Sequence, residues 1–302
     1  MKTILFLISV ILVLSFKLTG QQQAHLTQYF ENYLYANPAY AGSTGMLNVS
    51  GIHREQWVGF DGAPRTSILG FNMPLKYESI GIGAVVIRDE IGPTSNTQLQ
   101  TSFSYRLKFN EKNSLSFGLN AGFGLMNSIT SSLNSTVEND PSKLTNQQNR
   151  FMPNMGAGLL FKRKRLFVGI SAPKLFQNSL DGTVNNLEKR HFFAQIGGVI
   201  NLDEAWKLRP TTQLIFISGA PINLDLSLAT IYQERFVFGA MYRLQSAFGV
   251  FVQYQINDKF RVSVASDFST QAIRSYNNGT YEIGLSYDVS LKFHKGQTFR
   301  YF

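Results

Sequence analysis

Ser114-Leu115-Ser116-Phe117-Gly118-Leu119-Asn120-Ala121-Gly122-Phe123-Gly124-Leu125 alternates without a break. Leu115, Phe117, Leu119, Ala121, Phe123 and Leu125 share one face, and the other holds only Ser, Gly and Asn. A period of two is that of an extended strand. Twelve residues is longer than a soluble sandwich requires, and the two faces suit lipid on one side and a polar bore on the other.

Outward from this stretch the same dyad recurs. In Gln98–Lys108, residues Leu99, Thr101, Phe103, Tyr105 and Leu107 oppose Gln98, Gln100, Ser102, Ser104 and Arg106. It returns in Ile222–Tyr232, Ala247–Ile256, Phe260–Phe268 and Tyr281–Leu291. Weaker versions lie at Leu47–Trp57, Thr66–Met73, Ser79–Asp89, Met152–Phe161, Arg165–Ser171, Arg190–Asn201, Lys207–Ser218 and Arg235–Arg243. The pattern predicts an all-β, transmembrane outer-membrane β-barrel of about 14 antiparallel strands, each of roughly 10 residues.

Connection lengths carry the same parity. The even-numbered connections are short: Pro74–Glu78, Phe109–Asn113, Lys162–Lys164, Leu202–Trp206, Gln233-Glu234 and Asn257–Lys259. The long ones, Met126–Phe151, Ala172–Lys189 and Ser269–Thr280, fall on the odd side, as expected when both termini are periplasmic. Closure is required because lipid cannot satisfy an open sheet edge.

Met1-Lys2 followed by the uncharged run Ile4–Phe16 reads as a signal peptide over residues 1–20, with cleavage after Gly20. The run is too short for a membrane-spanning helix. Residues 21–45, rich in Gln, Tyr and Asn, read either as a periplasmic tail or as a plug in the lumen, and residues 46–302 as the barrel. Phe302 fits an aromatic C-terminal assembly signal, although Arg300 and Thr298 break its alternation.

The absence of cysteine argues against a lipoprotein anchor, a disulfide framework and thiolate metal sites. Only 16% of residues are charged, 13% are aromatic, and Gly and Phe each number 25, an unusual balance for a soluble domain. The net charge of +9 has no basic helix, finger or stacking motif to direct it to nucleic acid; it suits lipid phosphates and partner surfaces at the rims.

Chemistry is sparse. His25, His53, His191 and His294 sit on different elements without a metal-ligand spacing, and nothing suggests a catalytic set or a cofactor. Arg106, Asp225, Arg243, Arg261, Asp267, Glu282 and Asp288 fall on the polar phase of their strands. Asp225 and Arg243 lie on neighbouring strands, as do Arg261 or Asp267 and Glu282, and buried charges of both signs should pair, so an ion-pair network bracing a plugged lumen is expected, with a solute-selective pore as the other reading. The glycines of Ile80–Gly83 and Asn120–Gly124 read as small lumen-facing positions that admit side chains or a plug. Lys162–Arg165 reads as a solvated periplasmic turn or a docking patch for a periplasmic partner.

Two stretches carry a resemblance: Asn37-Pro38-Ala39-Tyr40-Ala41-Gly42, and Arg54-Glu55-Gln56-Trp57-Val58-Gly59-Phe60-Asp61-Gly62-Ala63-Pro64-Arg65-Thr66. Asp89–Pro93, Gly169–Pro173, Leu208–Pro210, Gly239–Arg243 and Ser266–Phe268 extend it over nearly the whole chain. The sequence resembles the PorP/SprF outer-membrane proteins of Bacteroidetes type IX secretion and gliding systems. It departs at Gly279-Thr280-Tyr281-Glu282, where a Gly-Ser-His-Glu type motif is expected, so no histidine role carries over there.

The resemblance implies a non-enzymatic part in secretion. Members act either with the periplasmic ring of the apparatus or in bringing one large surface adhesin to the cell surface. Expected partners are therefore a secreted or surface-anchored cargo protein, periplasmic ring components and outer-membrane lipid. Arg54, Gln56, Trp57, Phe60 and Pro64 are the candidate partner-binding residues, with Trp57 and Phe60 read either as an aromatic anchor or as interface-belt aromatics. The other functional reading is a passive channel or a transporter for small or lipid-like solutes.

Overall fold

The computed structural model describes residues 25–76, 79–129, 147–180, 187–291 and 301. Fourteen antiparallel strands follow one another around a ring: β1 (Met46–Glu55), β2 (Arg65–Pro74), β3 (Ile80–Ile91), β4 (Thr94–Lys108), β5 (Asn113–Ser128), β6 (Gln147–Arg163) and β7 (Leu166–Lys174). The ring continues with β8, β9 (Trp206–Ile217), β10 (Asn223–Tyr232), β11 (Phe236–Arg243), β12 (Ala247–Gln255), β13 (Phe260–Ser269) and β14 (Thr280–Ser290). β8 comprises His191–Gly198 and Ile200–Asn201, both paired with β9 and parted by Val199, whose N–H donates to the carbonyl of Arg165 at 2.8 Å. β14 pairs with β1 from Met46 opposite Ser290 to Glu55 opposite Tyr281, so the sheet closes and no edge faces lipid.

The wall inverts the usual distribution of polarity. On β5, Phe117 and Leu119 point outward and stay exposed, while Ser116 and Asn120 point inward and are buried. Leu119 is 64% and Ile283 61% exposed to the outside, whereas Ser104 and Gln253 are wholly enclosed. Only a nonpolar solvent makes that arrangement favourable. Leu119→Arg is therefore expected to cost about 2–4 kcal/mol, the penalty for a cation on the lipid face near mid-membrane. Urea unfolding of the barrel in lipid vesicles measures it; an unchanged midpoint would mean that this face meets no lipid.

Strand ends differ from the sequence reading. β4, β5 and β6 run to 15, 16 and 17 residues, and β3 turns into β4 through Gly92-Pro93 alone. At about 3.4 Å per residue and a tilt of about 45°, 17 residues rise roughly 40 Å, beyond a hydrocarbon layer of about 30 Å. Past the lipid both faces are wet, so the ladder continues through Ser95, Asn96 and Thr97 after the apolar alternation has stopped.

Residues 25–45 lie inside the ring. Three short helical turns, Tyr29–Glu31, Tyr33–Ala36 and Pro38–Tyr40, descend from β13 and β14 at the long-loop end to β2 and β3 at the short-turn end. None is long enough to stand alone, so packing holds them. Phe30 meets Phe251 of β12 at 4.7 Å between ring centroids, Tyr33 stacks on Tyr40 at 4.8 Å, and both tyrosines meet the edge of Phe167 of β7. The carbonyls of Ala36 and Ala41 accept from Ser171 and Ser104 at 2.7 and 2.6 Å.

The Asn37–Gly42 motif makes the closest approach to the wall. Asn37 is fully buried; its Oδ1 accepts from the Ala39 N–H at 2.9 Å and its Nδ2 donates to the Leu159 carbonyl at 3.0 Å. A Cβ on Gly81 would stand 2.1 Å from the Ala41 carbonyl oxygen, and one on Gly118 would stand 2.1 Å from the Ala39 nitrogen. The expected role of Gly81 as a small lumen-facing position is thus visible, but Gly122 and Gly124 border other wall residues. Asn37→Ala removes a turn cap and a buried hydrogen bond, and is expected to cost about 2 kcal/mol by denaturant unfolding in micelles. A loss under about 0.5 kcal/mol would show that the cap is dispensable.

Candidate functional site

At the long-loop end, strand parity brings β1, β13 and β14 to one buried centre. Arg54 Nη1 lies 2.6 Å from Asp267 Oδ2 and 2.5 Å from Glu282 Oε1, with all three side chains almost fully enclosed. The inner segment completes it. The Thr27 N–H donates to Glu282 Oε1 at 2.6 Å, the Gln28 N–H to Glu282 Oε2 at 3.0 Å, and the Thr27 hydroxyl to Asp267 Oδ2 at 2.6 Å.

A second pair stands nearby. Arg243 of β11 grips Asp225 of β10 through two bonds of 2.8 and 3.2 Å, and its Nη2 also donates to the Leu26 carbonyl. Lower in the bore, Arg261 sits 3.6 Å from Glu31 of the inner segment and donates to Gln255 at 2.9 Å, while Gln253 donates to Glu31 at 2.5 Å. Arg209 of β9 covers the Phe30 ring, 4.5 Å from its centroid. Wall charges thus converge on residues 26–31.

Several expectations change. Arg54 is buried in the bore, because it shares the inward parity of Asn48, Ser50 and Ile52 on β1. Arg261 pairs with Glu31 of the inner segment; it stands opposite Ser286, four residues along the ladder from Ala265, which faces Glu282. Asp288 accepts from Asn48 at 2.7 Å, and Arg106 lies at the short-turn mouth beside Lys162. Arg54, Thr27 and Glu31 are the members that sequence reasoning missed; only Arg54 left a signal, in its parity.

The other partner-binding candidates do form one surface. The Gln56 N–H donates to the Pro64 carbonyl and the Phe60 N–H to that of Trp57, closing a loop that β13–β14 then clasps: Val58 and Asn278 exchange bonds of 2.9 and 2.8 Å with Gly279 and Val58. Trp57 holds φ at 53°, unusual for a non-glycine residue and sustained by this stitching on both sides. Trp57 is half-buried and Phe60 exposed, with exposed Tyr276 on the facing loop.

His53 stands on the outer face, bonded to Ser67 at 2.9 Å. His25 and His191 line a bore cavity of about 20 Å³, room for a single water. His294 and Phe302 lie outside the described residues, as do residues 1–24. Among the described residues, no three His, Cys, Asp or Glu side chains form a metal-ligating group.

A closed antiparallel ring, apolar outside and polar within, defines an outer-membrane β-barrel protein. Residues 18–287 match the family described as "Type IX secretion system membrane protein PorP/SprF", and the chain belongs to that family. Membership makes it a component of type IX secretion. No curated protein matches it in sequence. Similar solved structures include the CymD monoaromatic hydrocarbon channel, at TM-score 0.53 and 15% identity, covering 86% of this chain and 92% of that one. A TodX monoaromatic hydrocarbon channel deltaS2S3 mutant follows at TM-score 0.51 and 9% identity, covering 85% and 94%. At such identities the likeness is one of fold alone.

Proposed function

We propose that this barrel is closed to solutes and serves type IX secretion through protein contacts. Its long-loop rim, built on Trp57 and Phe60, engages a secreted cargo protein or a large adhesin, and its short-turn end meets ring components of the apparatus. The observation that carries the reading is the seating of residues 25–45 along the bore, tied to the wall by the buried charges of Arg54, Asp267, Glu282, Arg243 and Glu31. Polar groups paired this tightly favour one arrangement over a mobile gate.

Deleting the gene, with plasmid complementation as control, and quantifying proteins at the cell surface and in the medium tests it. Loss of many secreted proteins indicates a core component, loss of one large adhesin a dedicated partner, and no change sinks the secretion reading. A channel is the second reading, favoured by the two hydrocarbon channels that share the fold. Steady single-channel conductance of the intact protein in planar bilayers would support it.

A further inference from the structure

At the short-turn end, Arg106 and Lys108 of β4 and Lys162 of β6 occupy the inward phase of their strands, continuing the series of Ser102, Ser104 and Leu160. The two adjoining turns are joined by a 3.0 Å bond from the Lys164 N–H to the Lys112 carbonyl. Arg106, Lys108, Lys112, Lys162, Arg163, Lys164 and Arg165 line one cavity of about 1630 Å³. The acidic groups among the described lining residues are Glu111 and Glu234, and Glu234 is already engaged by Lys207 and Tyr301.

We propose that this mouth is a docking site for an acidic peptide segment of a periplasmic protein. Seven cations around one concavity focus field lines and favour a polyvalent anion. Lys162 donates to the Ser43 carbonyl at 3.1 Å, which fixes its ammonium at the floor of the cavity, within electrostatic reach of Arg106. The inward direction of Arg106, Lys108 and Lys162 also turns them from the lipid.

The inference rests on the proposal that the barrel works through protein contacts, and its test reads the purified chain alone, so either can fail without the other. The full-length protein in phosphatidylcholine nanodiscs is titrated into fluorescein-labelled oligoglutamate, with a Ser/Gly peptide of equal length as blank, by fluorescence anisotropy. Oligoglutamate is expected to bind and the blank not to, with affinity falling about tenfold or more between roughly 50 and 500 mM salt. The double turn variant Lys112→Glu, Lys164→Glu, which leaves the strands intact, is expected to abolish binding. Arg106→Gln with Lys162→Gln should weaken it about tenfold or more, with heat-modifiable gel migration confirming a folded barrel. Arg274→Glu, at the opposite end, should leave it unchanged. The proposal is overturned if oligoglutamate binds no better than the blank, or if inorganic phosphate at equal charge displaces it completely.

Discussion

Replacing Arg54 with alanine is expected to destabilise the barrel by about 3–5 kcal/mol, the cost of leaving buried charges without their partner. Asp267 and Glu282 lie on neighbouring strands and are held together by one Arg54 nitrogen, at 2.6 and 2.5 Å. Without it, two carboxylates face each other in an enclosed site, with only Thr27 and Gln28 donating to them from the inner segment. Unfolding by urea in micelles, followed by tryptophan fluorescence, measures the loss. Adding Asp267→Asn and Glu282→Gln should recover a large part of it, since a neutral polar site carries no repulsion. A loss below about 1 kcal/mol for Arg54→Ala would show that water enters the site and that the ion pairs behave as surface pairs.

The other large effect is expected from Gly118→Val. A Cβ there meets the nitrogen of Ala39 at 2.1 Å, its Cα at 2.4 Å and the carbonyl carbon of Pro38 at 2.4 Å. All three belong to backbone, so no side-chain rotation relieves the overlap. Overpacking commonly costs about 1–3 kcal/mol, and this contact belongs at or above the upper end. The barrel wall is held by hydrogen bonds on both sides of β5, so the inner segment is the part that yields. Limited proteolysis should then cleave within residues 25–45 of the variant and spare the parent. Gly51, on the outward phase of β1, has no atom within 4 Å of its Cβ direction, so Gly51→Val should behave like the parent. Equal protease resistance in both variants would mean that the segment does not depend on the Gly118 contact.

Much of this architecture is legible in the sequence, and the physical reason is the solvent. In Leu115 to Leu125 each outward residue answers to lipid and each inward one to the bore, so the period of two survives intact and locates a strand. Where the wall leaves the membrane at Ser95, Asn96 and Thr97, that pressure disappears, and strand ends become unreadable. The interruption of β8 at Val199 left no mark either, because a one-residue break beside Gly197-Gly198 keeps an apolar composition. Bore charges follow from parity, as at Asp225 and Arg243. Their contacts with the inner segment do not, since Thr27 and Glu282 stand 255 residues apart and residues 25–45 have no period to read.

The direction of that inner segment constrains how the molecule is built. Thr27 rests at the long-loop end and Gly42 at the short-turn end, immediately before Met46 opens β1, the strand against which β14 closes. A finished ring would have to be threaded end to end by this segment, whereas an open sheet can curl around it. Arg54 of β1 and Glu282 of β14 flank that last seam, and both are bonded through Thr27. The filling of the interior and the closure of the wall therefore share the same contacts at this seam.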